Sequence, residues 1–374
     1  SGLPRRWPYG VLIMESNTLL YQIAFSYLYR NRLLKAHQLL DQYGSAEEAW
    51  KYLTDSKMND AWERAKEEAH WIEQHEIKTF FYTDEAYPYR LKQCPDAPLM
   101  LYSKGNLNFE ASKVVAIVGT RNATDRGREQ ARKLVMDLTR LVPDVAIVSG
   151  LAYGIDIAAQ RAAVEAGLQN IIIPGHGLDR IYPTIHRNVA VQSLTNGGIL
   201  TEYMSGTEPI GANFVARDRI IAGMADAVVI VESKERGGSL ITAQMALDYD
   251  RQVFAIPGRV TDEHSRGCNQ LIRQQKAALI ECAEDLVEAM MWESEDSKKK
   301  RAPLQTELVE LTRTLTDEER ILLDKLHENE DGVHVNLLVL ETGIPYNKVS
   351  SLLINMEFDE LVRSLPGGIY RAIK

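Results

Sequence analysis

Apolar positions change rhythm several times along the chain, and each rhythm predicts a different kind of element. From residue 17 to 75 they recur at three- and four-residue spacing, which predicts helices. The stretch "TLLYQIAFSYLYRNRLLKAHQLLDQYG" stops on Gly44, a helix-ending residue, and "SAEEAWKYL" then restarts with a Ser cap and glutamates in the first turn. "YPYRLKQCPDAPLMLYSKGNL" (87–107) is rich in Pro and turn residues and is expected to mark a boundary. From 113 onward, short continuous apolar runs alternate with amphipathic segments. The runs are "VVAIVG" (114–119), "DVAIVSG" (144–150), "NIIIPG" (170–175), "GGILTE" (197–202), "DAVVIVES" (226–233) and "RQVFAIPG" (251–258). Strands with no polar face, separated by helices, predict a mostly parallel sheet covered on both sides. The expected fold is therefore an α/β, Rossmann-like doubly wound domain whose ligand sits at the C-terminal strand edge.

The pattern changes again at "WESEDSKKKRAPLQTE" (292–307), which is charged, carries Pro and has no period, as in a linker. Beyond it, "TDEERILLDKLHE" opens at a good cap, two helices flank Gly343-Ile344-Pro345, and "RSLPGGIYRAI" reads as a hairpin. That order predicts a winged helix-turn-helix. The expected domains are a helical segment at 1–80, of SAM or helix-hairpin type, an extended Rossmann-like body at 81–290, a linker at 291–315 and a winged helix at 316–374. There are no internal repeats and no low-complexity tracts.

Composition adds less than pattern. With 374 residues, two or three domains are expected, and 45% hydrophobic with 25% charged residues is ordinary for a globular chain. No apolar run approaches the ~20 residues of a membrane helix. The start "SGLPRRWPYG" lacks the apolar segment of a secretory leader, and opening on Ser reads as a short added remnant. Cys94, Cys268 and Cys282 are odd in number and far apart, which suggests reduced cytoplasmic thiols rather than disulfides or zinc. The net charge of −9 argues weakly against a polyanionic partner, yet it is uneven. Residues 111–290 hold 19 Lys+Arg against 21 Asp+Glu (19 − 21 = −2), and 15 of the 19 are Arg. Arginine's planar fork suits phosphates and flat rings, although surface ion pairs explain such a bias equally well.

Five expected strand exits share one chemistry: Gly119-Thr120-Arg121, Ser149-Gly150 with Gly154, Gly175-His176-Gly177, Gly237-Gly238-Ser239, and Gly258-Arg259. Glycines let backbone N–H groups approach an anion, and helix N-termini add a positive dipole. Together they favour a phosphate-bearing ligand. There is no G-x-x-x-x-G-K-[ST], no G-x-G-x-x-G and no H-E-x-x-H, so a P-loop ATPase, a standard dehydrogenase and a zinc hydrolase lack support. No catalytic residue, cofactor or metal is expected. His176 and His186 read as turn histidines and Asp156 as a helix cap.

Residues 87–288 resemble the DprA/Smf family of bacterial DNA-processing proteins. The motifs are "AIVGTRNAT", "IVSGLAYGID", "IIPGHGLDRIYP", "GGILTEY", "NFVARDRIIAGMADAVVIVES", "GGSLITAQMAL", "VFAIPG" and "GCNQLI". The resemblance implies single-stranded DNA binding without hydrolysis, a homodimer, and loading of the RecA recombinase during natural transformation. It also implies the two flanking domains. The chain departs from the family pattern in three places. Gln160 stands near a usual His, Asp218 replaces Asn in an Arg-Asn-Arg run, and Gly211-Ala212 replace a basic residue before Phe214.

In this reading Arg121, Arg217 and Arg219 supply charge and Phe214 a stacking face, as in other single-strand binders. Phe214 is equally readable as a core residue, and Arg219 as a buried ion-pair partner. Leu271, Ile272 and Leu279 are the expected dimer contact, or else they complete the core. The C-terminal recognition helix carries Lys348 and Glu357, with Arg363 and Arg371 beside the wing, a poor footprint for duplex DNA. A protein-contact or modulatory role is expected for that domain. Two rival functions stand: a nucleotide hydrolase, whose nearest motif is Arg236–Ile241 but with Gln244 at the place of the catalytic Glu, and a recombinase-binding scaffold that does not touch DNA.

Overall fold

The structure, a computed structural model, describes residues 12–292, 315–329, 332–359, 361–365 and 368–373. It forms two compact units, Ser1–Asp296 and Ser297–Lys374.

The first unit is built on a nine-stranded sheet. Its strands are β1 (Lys78–Phe81), β2 (Met100–Asn106), β3 (Lys113–Val118), β4 (Val145–Ser149), β5 (Gln169–Ile172), β6 (Gly197–Thr201), β7 (Ala227–Ile230), β8 (Gln252–Ala255) and β9 (Ala278–Leu279). The spatial order is β1-β2-β6-β5-β4-β3-β7-β8-β9, parallel from β6 to β9 and antiparallel at β1 and β2. The apolar runs are continuous because side chains alternate between two covered faces. Val114, Ala116 and Val118 face one core with α9 (Gly211–Met224), α10 (Ser239–Asp248) and α11 (Arg266–Arg273). Val115 and Ile117 face the other, with α6 (Asp125–Leu141), α7 (Ile155–Glu165) and α12 (Ala283–Ala289). Helix α6 shows why these segments are helices. Thr124 caps it by accepting from Gly127 N, and Ala131, Leu134, Val135, Leu138 and Leu141 form one buried stripe.

Strand order reverses between β3 and β7, the place where doubly wound sheets open a crevice at their C-terminal edge. The exits of β3, β4, β5 and β7 converge there.

The structure adds elements around the expected boundary. The stretch 87–107 contains α5 (Tyr89–Lys92) and the seven-residue β2, and β1 begins before the expected boundary at 80. β1 and β2 had been hidden by their Pro- and Tyr-rich surroundings. They extend the sheet, and their apolar face completes the core of the N-terminal helices. Phe81, Leu99, Met100 and Tyr102 pack with Ile23, Phe25, Leu40 and Ile72 from α1 (Leu12–Tyr29), α2 (Leu33–Tyr43) and α4 (Met58–His75). Between α2 and α4 lies α3 (Ala46–Trp50), and α8 (Arg187–Ser193) lies between β5 and β6. The helical part thus belongs to the same compact unit as the α/β body.

The second unit runs α13 (Asp317–His327), β10 (Val333–His334), α14 (Val335–Thr342), α15 (Tyr346–Phe358), β11 (Val362–Leu365) and β12 (Ile369–Ala372). That is the winged-helix order, with strands arranged β10-β12-β11. Thr316 and Glu319 close a capping box at α13. Most of the expected linker and the Pro366-Gly367 turn of the wing lie outside the described residues. Among those residues no helix is long and apolar enough to cross a membrane.

Candidate nucleic-acid interface

Gly119-Thr120-Arg121 leave β3 directly into the crevice. The Arg121 side chain is exposed, and its guanidinium lies over the Phe214 ring, 5.1 Å from its centroid. On the same ring Tyr182 stacks at 5.8 Å with an interplanar angle of 30°. Tyr182 is 45% exposed and Phe214 half-buried. The result is a row of flat groups, Arg121, Phe214 and Tyr182, drawn from three different segments and open to solvent. Among the described residues no carboxylate lies within ion-pair distance of Arg121. Tyr153, in the β4–α7 loop, adds another exposed ring, edge-on to His186 at 5.0 Å.

Arg217 occupies the opposite role. It is 3% exposed, donates to the carbonyls of Gly150 (2.9 Å) and Ile173, and pairs with Asp218 at 3.0 Å. Its guanidinium carbon also lies 5.9 Å from the Phe214 centroid. Arg217 is the floor of the site and clamps the exits of β4 and β5 beneath Phe214. The expectation that it supplies an open charge therefore changes: two carbonyls and a carboxylate already hold its fork. Arg219 is also turned away, paired with Glu202 in a largely buried position.

The glycines at these exits serve the protein itself. A Cβ on Gly150 would sit 2.6 Å from the Arg217 guanidinium, and one on Gly175 would sit 2.8 Å from the Phe214 ring. Gly154 has φ +81°, and a Cβ there would collide with the Thr120 carbonyl. "SGLAYGID" is thus glycine-rich because other parts of the protein pack onto its backbone. The reading of Gly150 and Gly154 as an approach for a ligand gives way to this internal packing. The same loop is bonded throughout. Ser149 Oγ donates to Ile117 O (2.7 Å), Gly150 N to Asp156 Oδ2 (3.1 Å), and Leu151 N to Gln160 Oε1 (3.0 Å). Gln160 Nε2 returns a bond to Ser149 O (3.2 Å), so this departure from the family pattern is a buried loop anchor.

Burial pushes the Asp156 carboxyl up to about 6, opposed by the nearby Arg217 charge. Burial also raises Asp218, against Arg217, and lowers both His176 and His186. His176 Nδ1 pairs with Gly177 O at 2.8 Å while its Nε2 accepts from Tyr182 N, and His186 Nδ1 pairs with Leu151 O at 2.8 Å. Both histidines make structural hydrogen bonds that anchor their loops. The Asp218 carboxylate turns to Arg217 and Thr242 rather than to the crevice.

The remaining expected residues do not join this cluster. Ser239 is buried and donates to Ser233 Oγ at 2.9 Å, and Gly237 packs on Ser233, which leaves only Gly238 open. Gln244 is held between Asp248 and Lys276. Leu271 is core at 6% exposure and Ile272 packs against it, whereas Leu279 on the edge strand β9 is 50% exposed. Of the expected dimer patch, only Leu279 is exposed. Sequence reasoning missed Tyr182 and Tyr153, although both stand in quoted strand exits, "DRIYP" and "AYGID". Counting aromatic rings there, beside glycines and arginines, finds them. Among the described residues no group of His, Cys, Asp and Glu is arranged to hold a metal.

Residues 78–291 match the family model described as DNA recombination-mediator protein A, and residues 306–368 match the DprA winged helix domain. The DNA processing protein DprA of Streptococcus pneumoniae is 39% identical over 209 residues, covering 56% of this chain and 73% of that protein. Its X-ray structure superposes with a TM-score of 0.56 and 32% identity, covering 76% of this chain and 98% of that one. DNA processing protein A from Helicobacter pylori, whose structure was described for its single-stranded DNA binding mode, gives a TM-score of 0.52 at 30% identity. It covers 57% of this chain and 95% of that one.

Proposed function

The chain belongs to the DprA/Smf family of DNA-processing proteins, and from that premise we propose that it binds single-stranded DNA through the Arg121–Phe214–Tyr182 row without hydrolysing it. The row itself carries the reading. A single strand exposes flat bases beside charged phosphates, and it is bound by aromatic faces combined with unpaired cations. Base–ring stacking is sequence-tolerant, because every base has a π-face. Rigid support comes from Arg217, Gln160 and Asp156, which fix the loops under the rings.

The resemblance to the family supports two further parts of the proposal, loading of RecA onto the bound strand and action as a homodimer. The exposed Leu279 on the edge strand gives such a dimer a contact point. Two strand sites on one particle raise the effective concentration for a long polynucleotide.

Fluorescence anisotropy with labelled oligonucleotides at two salt concentrations tests the proposal. Single strands are expected to bind more tightly than duplex of equal length, and affinity to fall with salt, since phosphate contacts release counterions. Binding indifferent to salt, or release of base or phosphate from mononucleotides, overturns it.

A further inference from the structure

A second concavity lies beside the row of rings. It is a cleft of about 1170 Å³ between the N-terminal helices and the α/β body, above the ~300–1,000 Å³ common for small-ligand pockets. Tyr27 of α1, Arg30 in the turn just after that helix and Trp71 of α4 line one wall, and Ala212 and Asn213 of α9 line the other. Asn213 and Phe214 are consecutive, so the cleft and the ring row meet at one helical turn.

The cleft repeats the chemistry of the row. The Arg30 guanidinium lies 4.8 Å from the Tyr27 ring centroid, as Arg121 lies over Phe214. Three other described arginines sit against rings, and each also holds a carboxylate: Arg32 with Asp55, Arg90 with Asp226 and Arg217 with Asp218. Arg30 and Arg121 have none within ion-pair distance among the described residues. The carboxylates lining the cleft are each paired with a cation other than Arg30. Glu202 holds Arg219, Glu208 holds Arg180, and Glu67 lies 3.7 Å from Arg64. Arg30 is exposed and is the cation left over. The first turn of α9 between the two sites is open, since a Cβ on Gly211 would meet nothing within 4 Å.

Resting on the proposal that this chain binds single-stranded DNA, we infer that the cleft is a second subsite for the same strand. Arg30 takes a phosphate, and the Tyr27–Trp71 wall takes a base beyond those on the Phe214 row. The N-terminal helices thereby supply the cation that Gly211 and Ala212 do not, and a strand long enough to pass α9 gains contacts that a short one lacks.

The test is anisotropy of the full chain with short and long oligothymidylates across a salt series. Arg30→Ala is expected to leave the short oligomer's affinity unchanged and to weaken the long one several-fold. Losing one phosphate contact should lower the salt slope for the long oligomer by ~0.7. Arg30→Lys, which keeps the charge without the planar fork, should restore that slope. Arg121→Ala should weaken both lengths. If Arg30→Ala matches the wild type at every length while Arg121→Ala weakens binding, the cleft assignment is overturned and the ring row stands. If the wild type binds neither length, both fall.

Discussion

Two regions of this molecule have a fold associated with nucleic acids, and among the described residues only the α/β body sets an arginine without an ion pair against stacked rings. The winged-helix unit has the architecture, yet the exposed positions of its recognition helix α15 include Asn347, Ser351, Ile354 and Asn355, which are neutral. Lys348, its one cation, is tied to Glu318 at 2.5 Å. Residues 316–374 hold 6 Lys+Arg against 11 Asp+Glu, a net charge of −5 (6 − 11). Arg363 and Arg371 face each other across the wing, where like charges repel. The strand-end crevice belongs to a fold that hosts many chemistries, but it presents, on a stack of rings, an arginine with no ion pair among the described residues. A fold name therefore says less about binding than whether a cation is already paired.

The largest expected effect belongs to Arg217, the buried arginine beneath Phe214. Arg217→Ala takes the ion-pair partner from Asp218, which keeps Thr242, and the donor from two strand-end carbonyls, and breaking such a buried pair costs about 3–5 kcal/mol. A large drop in melting temperature is expected. If stability stays the same while DNA binding is lost, Arg217 is a contact and not the floor.

Asp156 tests whether that floor is a strained polar site. Its carboxyl is raised to about 6 in the folded chain, against about 4 when unfolded. The native state thus holds this proton more tightly. The group's contribution to stability is full below about pH 4 and is lost as pH rises through about 6. Asp156→Asn keeps an acceptor for Gly150 N and removes this loss. Its stability relative to wild type should grow by about 2–3 kcal/mol from pH 4 to pH 8. Thermal unfolding at the two pH values reads this, and a gap that does not widen shows that Arg217 keeps the carboxylate charged.

Arg121→Ala should weaken single-strand binding by about 1–2 kcal/mol, a factor of roughly 5–30, with the melting temperature nearly unchanged. Loss of stability with intact binding would make Arg121 structural and erase its contrast with Arg217. The smallest effect belongs to the other region. Removing residues 297–374 should change single-strand affinity by less than about twofold, or ~0.4 kcal/mol. Abolished binding in a folded remainder would make the winged helix the main DNA site.

Much of the architecture was legible in the residues. Short, β-branched apolar runs 25 to 30 residues apart, most bounded by glycines and separated by amphipathic segments, read as strands buried on both faces, so the sheet, its crevice and the segments that meet there followed from local pattern. The glycines and Arg121 were found because strand exits are marked by composition. What pattern did not reveal were β1 and β2, whose Pro-rich surroundings imitate a loop, and the rings of Tyr182 and Tyr153.

Which arginine is free was decided only by the tertiary structure. Arg121, Arg217 and Arg219 are the same residue type, near one another in the fold, and nothing local separates them. Gly150 and Ile173 place two carbonyls around Arg217, and Glu202, just past β6, meets Arg219 on α9, whereas among the described residues Arg121 forms no ion pair. Likewise, glycine at 150 and 154 was visible in sequence, but its reason was the guanidinium and the backbone that pack there. Sequence sets the period of burial because that depends on neighbours along the chain. Charge pairing and close approach depend on groups brought from far away, and these exist only once the chain has folded.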